Sequence, residues 1–148
     1  MMRRAIGFLA AAFLPAVIGA PFVRPGYYER LRKPSWAPPS EVFGPVWTVL
    51  YGLIGVAAWL VSQRPRSGGA LRLWGVQLAL NTAWTPLFFG ARARGLSLVE
   101  ICLMWVAIAA TTVSFFSRRP LAGALMIPYL AWVSFATGLT YEVWRRNG

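Results

Sequence analysis

The chain has 148 residues, of which 57% are hydrophobic and 13% are charged. A soluble domain carries about 25% charged residues, so this composition excludes an ordinary soluble protein and indicates an integral, multi-pass membrane protein. The net charge of +11 comes from arginines grouped between apolar runs, where they would meet lipid headgroups. No continuous basic face is left to follow a phosphate backbone, so no nucleic-acid partner is expected.

Five apolar runs predict an all-α membrane protein, a single domain over 1–148 in which five transmembrane helices form one bundle. A bilayer crossing needs about 20 apolar residues, and each run is close to that length. The predicted helices cover 5–23, 45–62, 71–89, 96–116 and 121–144. The first run follows MMRR and has signal-peptide features, but Pro21 directly after the expected cleavage point favours a retained helix.

Prolines are predicted to bend three of these helices. Pro15 lies inside the first, Pro86 in the last turn of the third, and Pro128 inside the fifth, which it interrupts or kinks. Each lacks the N–H that a helical hydrogen bond needs at that position. Lysines and arginines are almost equally numerous on the two sides of the predicted bundle, so their distribution selects no orientation.

The most distinctive stretch of the sequence is 33–51, KPSWAPPSEVFGPVWTVLY. Its closely spaced prolines exclude ordinary helix over 35–40, and Pro45 suits the first position of the next helix. From there Trp47 and Tyr51 follow at i, i+4 spacing, which places them on one helix face. The stretch therefore joins a rigid external segment to a buried aromatic wall.

The long first loop, 24–44, is expected to fold over one mouth of the bundle and to cap a pocket there. Its prolines lower the entropic cost of ordering the loop. Trp36, which lies within the loop, needs an apolar surface to cover its ring.

The third helix has two opposed faces. One face carries Gln77, Asn81, Trp84 and Phe88. Because an amide that faces lipid is costly, this face is predicted to point into the bundle. The amides would either hold neighbouring helices together by hydrogen bonds or contribute to a site, and the residues leave both roles open.

The opposite face of the third helix has small side chains at every fourth position, Gly75, Ala79 and Ala83. Small residues at this spacing let two helix backbones approach closely in a membrane. The neighbour is either another helix of the bundle or a second copy of the chain, and we favour a homodimer.

Two overlapping patterns occupy the fifth helix. Trp132, Ala136 and Leu139 form a stripe in which the small Ala136 leaves room between two larger side chains. Such a stripe belongs either to the core or to the wall of a cavity. Leu139, Tyr141 and Arg145 match a loose apolar–tyrosine–basic pattern proposed for sterol contact. An aromatic belt followed by arginine satisfies the same pattern in most membrane helices.

The residues for most enzyme and metal chemistry are missing from the sequence. It contains no histidine, a single cysteine, Cys102, and four carboxylates that are far apart in sequence. We therefore expect no metal site and no required cofactor. Glu100, one turn into the fourth helix, would lie at the interface, pair with an arginine or transfer protons. The eight tryptophans instead favour a large, flat, apolar ligand.

Three segments together resemble the tryptophan-rich sensory protein/translocator protein family, the peripheral benzodiazepine receptors. The segments are KPSWAPP with GPVWTVLY, QLALNTAWTPLFFGAR, and PYLAWVSFATGLTYEVW. The resemblance extends over essentially the whole chain. It implies a five-helix bundle, commonly dimeric, with a pocket capped by the first loop. It also implies that porphyrins and other tetrapyrroles, cholesterol and benzodiazepine-type drugs are ligands.

The resemblance implies a pocket formed by the second, third and fifth helices and the first loop. Its implied lining residues are Trp36, Trp47, Tyr51, Asn81, Trp84, Phe88, Trp132, Ala136 and Leu139. The implied sterol motif is Leu139, Tyr141 and Arg145. Without histidine, a metal-free porphyrin of the protoporphyrin type would be held by stacking on Trp47 and Trp132, with its propionates near arginines at the mouth.

The sequence leaves three functions open. The first is a membrane protein that binds tetrapyrroles and has a regulatory role. The second is an enzyme, a light- or oxygen-dependent porphyrin oxidase in which Trp47 and Trp132 would be the catalytic pair. The third is a small transporter of porphyrin or sterol, although transporters with alternating access usually show duplicated halves and this sequence has none. We favour binding and regulation.

Overall fold

A computed structural model describes residues 2–22, 26–90 and 94–147, and this part of the chain is all-α, with no β-strand. The α-helices are α1 (Met2–Ala12), α2 (Leu14–Gly19), α3 (Tyr27–Arg30), α4 (Phe43–Ser62), α5 (Gly68–Thr85), α6 (Arg94–Arg118) and α7 (Pro120–Asn147). Short 3₁₀ segments cover Ala20–Phe22 and Ser40–Val42. The predicted all-α class is confirmed.

Four helical stretches among the described residues are long and apolar enough to cross a membrane. They are Met2–Gly19, Ser40–Ser62, Gly95–Arg118 and Pro120–Asn147. The 18-residue helix α5 is not one of them, since Arg72, Gln77 and Asn81 make it more polar. Composition and length alone therefore support four of the five predicted crossings.

The first predicted helix is divided into α1 and α2. Phe13 lies between them, and its N–H is shared between the carbonyls of Leu9, at 3.3 Å, and Ala10, at 3.2 Å. Pro15 lies in the first turn of α2 and has no N–H to donate, so the break comes two residues before the predicted bend. The predicted end of this helix, at residue 23, lies outside the described residues.

Helix α4 begins two residues earlier than predicted, directly after the 3₁₀ turn Ser40–Val42. Pro45 occupies its first turn, where a missing N–H removes no intrahelical bond. Over 31–39 the chain forms no helix, as its prolines predict. Tyr27–Arg30 forms a single helical turn that no sequence pattern predicts.

Helix α5 continues as a π-helical turn over Pro86–Gly90. Pro86 cannot donate to the carbonyl four residues back, so the regular ladder ends there and the widened turn replaces it. The predicted bend at Pro86 thus takes the form of a change in helix type. The turn carries Phe88, whose ring stacks on Trp84 with 4.8 Å between ring centroids.

Helices α6 and α7 pack antiparallel. Gly95 lies beside the Trp144 indole, and Trp105 Nε1 donates to Ser134 Oγ at 2.7 Å. Helix α7 is continuous through Pro128, so the predicted interruption does not occur. The helices pack in the order α1, α4, α7, α6, α5 and α2, which closes a ring because α1 and α2 are consecutive.

One half of this ring, the closed half, is filled with side chains around Ile54, Ala57 and Ala58 of α4, which are fully buried. Gly55 lets α4 approach α1, since a Cβ at Gly55 would lie 3.1 Å from Leu9 Cα. Close backbone approach leaves little space between these helices. The other half borders the first loop and is not filled.

Candidate ligand-binding cavity

A cavity of about 540 Å³ lies between α2, α4, α5 and α7, next to the first loop, and we call this part of the ring the cavity half. Small-molecule sites are typically about 300–1,000 Å³. Among the described residues, the α2 side contributes four small ones, Pro15, Ala16, Gly19 and Ala20. A Cβ at Gly19 would lie 3.0 Å from Thr85 Cβ, so α2 and α5 close this side by direct approach.

Aromatic rings of α4 and α7 form one wall of the cavity. Trp47 and Tyr51 stack on each other, with 5.3 Å between ring centroids. Trp132 lies perpendicular to Trp47 at 6.3 Å, and Phe43 contacts the Trp132 ring edge-on at 6.0 Å. This wall therefore offers a planar ligand both faces and edges of aromatic rings.

The other wall comes from α5 and from the remainder of α7. Trp84 and Phe88 are nearly parallel, with an interplanar angle of 14°. Ala136 and Leu139 of α7 also line the cavity, and the small Ala136 leaves space there. Aromatic groups thus face the cavity from α4, α5 and α7.

A hydrogen-bonded group of four side chains, the polar layer, lies between the cavity and the closed half. Asn81 Nδ2 donates to the Tyr129 hydroxyl at 2.7 Å, and this hydroxyl donates to Gln77 Oε1 at 2.6 Å. The Tyr51 hydroxyl donates to Asn81 Oδ1 over a longer distance, 3.4 Å. Tyr51 and Asn81 line the cavity, whereas Gln77 and Tyr129 do not. Both amides therefore join helices, and Asn81 also borders the cavity.

The first loop supplies polar residues at the mouth of the cavity, namely Tyr28, Glu29 and Ser40. Ser40 Oγ donates to Glu29 Oε1 at 2.5 Å, and this bond is the main cause that holds the pKa of Glu29 below its usual value. The Tyr28 hydroxyl donates to the Pro38 carbonyl at 2.7 Å. Burial, with a smaller contribution from the charge of Glu29, raises the pKa of Tyr28 to about 12.

Further contacts attach the first loop to itself and to the end of α7. Lys33 Nζ donates to the Tyr28 carbonyl at 2.6 Å and lies 4.5 Å from the centre of the Tyr28 ring. Asn147 Oδ1 accepts from the Arg32 N–H at 3.0 Å, and Asn147 Nδ2 donates to the Arg32 carbonyl at 2.9 Å. The loop is therefore held at the end of the bundle where the cavity lies.

Eight of the nine residues predicted for the pocket border this cavity. They are Trp47, Tyr51, Asn81, Trp84, Phe88, Trp132, Ala136 and Leu139. The ninth, Trp36, is half exposed and does not line the cavity. Its ring contacts the ring of Phe135, with 5.5 Å between centroids. Phe135 lines the cavity, so Trp36 packs on the outer side of the cavity wall.

Several lining residues were missed by sequence reasoning. Phe43 precedes Trp47 by four positions and Phe135 follows Trp132 by three, so helical spacing was a signal that could have found both. The polar residues at the mouth come from the loop, where no periodicity places a side chain. Their position depends on how the loop packs.

The residues of the predicted sterol motif lie on different sides of α7. Leu139 is buried and lines the cavity, whereas Tyr141 is 46% exposed on the outside of α7. Arg145 is also exposed, and its Nη2 pairs with Glu142 Oε2 at 2.7 Å. The motif is therefore divided between the cavity and the outer surface.

The small-residue face of α5 lies on the outside of the bundle. Gly75, Ala79 and Ala83 are exposed, and a Cβ at Gly75 would meet no atom of the described chain within 4 Å. No other described helix packs against this face. A helix of the same bundle, one of the two predicted neighbours, is therefore excluded.

Metal-ligating residues do not cluster in the described ranges 2–22, 26–90 and 94–147: no three His, Cys, Asp or Glu side chains come together there. Glu100 is buried, and neither carboxylate oxygen has a hydrogen-bond partner within those ranges. Glu100 is therefore not exposed at the membrane interface, which was the first of its predicted positions. No described arginine pairs with it, which was the second.

The apolar helices and the internal aromatic cavity define a class of protein, a helical, multi-pass integral membrane protein with a ligand-sized site inside its bundle. Comparison with known proteins identifies the family.

The model of the TspO/MBR family matches residues 5–145. A tryptophan-rich sensory protein of Cereibacter sphaeroides is 45% identical over 140 residues, which cover 95% of this chain and 89% of that protein. The translocator protein of Homo sapiens is 45% identical over 151 residues, covering 97% and 89%. Protein CrtK of Rhodobacter capsulatus is 38% identical over 147 residues, covering 97% and 91%. The chain therefore belongs to the TspO/MBR family, which confirms the resemblance carried by its three segments.

Proposed function

We propose that this protein binds a porphyrin or another tetrapyrrole inside the membrane and has a regulatory role there. The observation that carries the proposal is the cavity of about 540 Å³ whose lining includes the indoles of Trp47, Trp84 and Trp132 from three helices. Aromatic faces on several helices suit a planar ring held by stacking. The name of one relative, a tryptophan-rich sensory protein, supports a sensory or regulatory role.

The proposal includes a bundle with five membrane crossings, the fifth being α5. This helix has 18 residues, a length of about 27 Å, which is close to the roughly 30 Å thickness of the hydrocarbon core. Its polar residues Gln77 and Asn81 are buried among the other helices, so they place no amide in lipid. Packing of α5 against α6 and α2 supports the same arrangement.

The proposal also includes a capping role for the first loop. Tyr28, Glu29 and Ser40 contribute to the cavity lining, and Asn147 holds the backbone of Arg32. A bound ligand would therefore contact the loop, and saturating porphyrin should slow amide hydrogen exchange over 26–40. Rapid exchange that porphyrin leaves unchanged would contradict the capping role.

Binding is tested by titrating the purified protein in detergent with a metal-free dicarboxylic porphyrin. Trp47→Phe and Trp132→Phe each keep an aromatic face, so both variants should still bind, with affinity reduced about two- to fivefold. The control is Trp144→Phe, a change on the outside of α7 that should leave affinity unchanged. Absence of saturable binding to the wild type would overturn the proposal.

A light-dependent porphyrin oxidase is the second function, and the positions of Trp47 and Trp132 favour it. Their rings are 6.3 Å apart and both line the cavity. Dioxygen would be the oxidant under this function, and indoles are the side chains here best able to exchange an electron with a photoexcited ring. Under this function the two phenylalanine variants would bind porphyrin but lose light-dependent bleaching.

Absorbance recorded over time, in light and in darkness, separates the two functions. Porphyrin in empty detergent is the reference, and Trp144→Phe is again the matched variant. Wild-type bleaching no faster than this reference would exclude the oxidase and leave the binding function intact.

Sterol contact stays a prediction for the outside of α7. Tyr141 and Arg145 lie one turn apart on that surface and are exposed, so they suit a lipid-borne sterol without Leu139. Labelling with a photoreactive sterol should modify α7 near Tyr141, and labelling confined to the cavity walls would contradict this placement.

A further inference from the structure

A carboxylate lies in the lining at the mouth of the cavity. Glu29 is the one charged residue among the described residues that line the cavity, and no described lysine or arginine lines it. The hydrogen bond from Ser40 stabilises the ionised carboxylate, and the pKa of Glu29 is lowered accordingly. A ligand that enters therefore passes a fixed negative charge.

The polar hydrogens of the lining are largely engaged within the protein. Six hydroxyl or amide groups that line the cavity donate to protein acceptors: Tyr28, Ser40, Thr48, Tyr51, Asn81 and Thr140. A hydroxyl that donates its single hydrogen can still accept through its oxygen. The five hydroxyls therefore offer a ligand acceptors rather than donors, whereas Asn81 Nδ2 keeps a second N–H.

Trp132 supplies a buried donor in the cavity wall. Trp132 Nε1 is buried and has no acceptor among the described residues. A single neutral N–H can serve a neutral oxygen of a ligand. It cannot replace the cationic partner that a buried carboxylate needs.

The nearest described cations lie at the rim and outside the lining. Arg30 Nη1 is 3.1 Å from the position of a Cβ at Gly26, a residue of the rim. Lys33 Nζ is bound to the carbonyls of Tyr28 and Glu29, at 2.6 Å and 3.3 Å. Among the described residues, an anionic group of a ligand would therefore find positive charge at the rim and not in the lining.

We propose that the cavity selects, among flat apolar ligands, those whose inserted polar groups carry no negative charge, with Glu29 as the specificity-determining residue. The proposal rests on the proposed function, since it concerns the same cavity. A metal-free tetrapyrrole without ionised carboxylates fits this description. A dicarboxylic porphyrin fits only with its carboxylates held outside the mouth.

The test compares a metal-free dicarboxylic porphyrin with its dimethyl ester, which has the same ring and no charge. Dissociation constants for both are measured in wild type, Glu29→Gln and Glu41→Gln at low and high salt. Glu41 is exposed on the same loop and does not line the cavity, so Glu41→Gln makes the same change in net charge elsewhere. The quantity compared between variants is the ratio of the two dissociation constants. The two porphyrins partition differently into detergent, but this difference is the same for every variant and so does not affect the comparison.

Glu29→Gln should improve binding of the dicarboxylate relative to the ester by about two- to fivefold at low salt, because the repelling carboxylate is solvent-exposed. High salt should reduce this change, and Glu41→Gln should show none. Binding of both porphyrins with the same ratio in all variants would overturn the selectivity alone. An equal change of the ratio in Glu29→Gln and Glu41→Gln would also overturn the selectivity, because the effect would then come from the net charge of the protein. Absence of saturable binding of either porphyrin would overturn the proposed function and the selectivity with it.

Discussion

The closed half and the cavity half are built from the same helices but are filled in different ways. In the closed half, Ala57, Ala58 and Gly55 let α4 approach its neighbours, and little space remains. In the cavity half, large aromatic rings stack on another ring of the same helix, one turn further along, as Trp47 does on Tyr51. Across helices α4 and α7, Trp47 meets Trp132 edge-on, with 6.3 Å between ring centroids. The cavity half is therefore lined by large rings and still open.

The polar layer lies at the boundary between the two halves. Its bonds join α5 to α7 and, more weakly, to α4, so the helices are held at a defined separation where the packing changes. Buried polar groups cost little only when they are all bonded. The layer therefore stabilises the wider spacing on its cavity side.

The comparison predicts opposite results for the same substitution in the two halves, and this is the largest effect expected. Ala58→Phe puts a ring into filled space, so it should reduce stability by about 1–3 kcal/mol or prevent folding. Ala136→Phe puts the same ring into the cavity, so the protein should fold but bind porphyrin at least about tenfold more weakly. Thermal melts followed by circular dichroism, together with porphyrin titration, measure both effects.

Equal losses of stability in these two variants would remove the distinction between the halves. Unchanged porphyrin affinity in a folded Ala136→Phe variant would place the ligand elsewhere.

A change at the boundary should have an intermediate effect. Tyr129→Phe removes the hydroxyl that bonds both Asn81 and Gln77, leaving two buried amide groups with fewer partners. We expect a loss of about 1–3 kcal/mol in the free energy of unfolding. Tyr141→Phe removes a hydroxyl from an exposed position of the same helix and should change nothing measurable. Similar melting temperatures for both variants would show that the layer does not stabilise the spacing.

A change on the outside should leave both halves intact. Ala79→Leu enlarges the exposed small-residue face of α5, so it should weaken self-association without altering thermal stability or porphyrin affinity. Ala110→Leu makes the same change at an exposed position of α6 and is the control. Sedimentation and crosslinking measure association, and an Ala79→Leu variant that behaves like wild type would exclude this face from a dimer.

The helices were predictable because their signal is local. Apolar runs of bilayer length placed α4, α6 and α7 within about three residues of their observed ends. The turn Tyr27–Arg30 and the π-helical turn after Thr85 were not predictable. Each depends on which neighbouring groups satisfy the backbone near a proline or in a loop.

The cavity walls were predictable for the same reason, since helical spacing puts Trp47 with Tyr51 and Trp132 with Ala136. The mouth was not, because Glu29 and Ser40 meet through the fold of a loop. Trp36 shows the same limit: its ring was expected in the pocket and lies behind Phe135 instead. A tryptophan in a loop needs an apolar surface, but sequence does not tell which one.

The bond between Asn147 and Arg32 has a practical consequence for work with the purified protein. It links residues 115 positions apart, so the last turn of α7 supports the loop at the cavity entrance. An affinity tag fused directly after α7 would sit beside this bond and compete with it. Porphyrin should therefore leave a carboxy-terminally tagged protein faster than a protein tagged before α1, whose first turn is exposed. Removing the carboxy-terminal tag with a protease should restore the slower release.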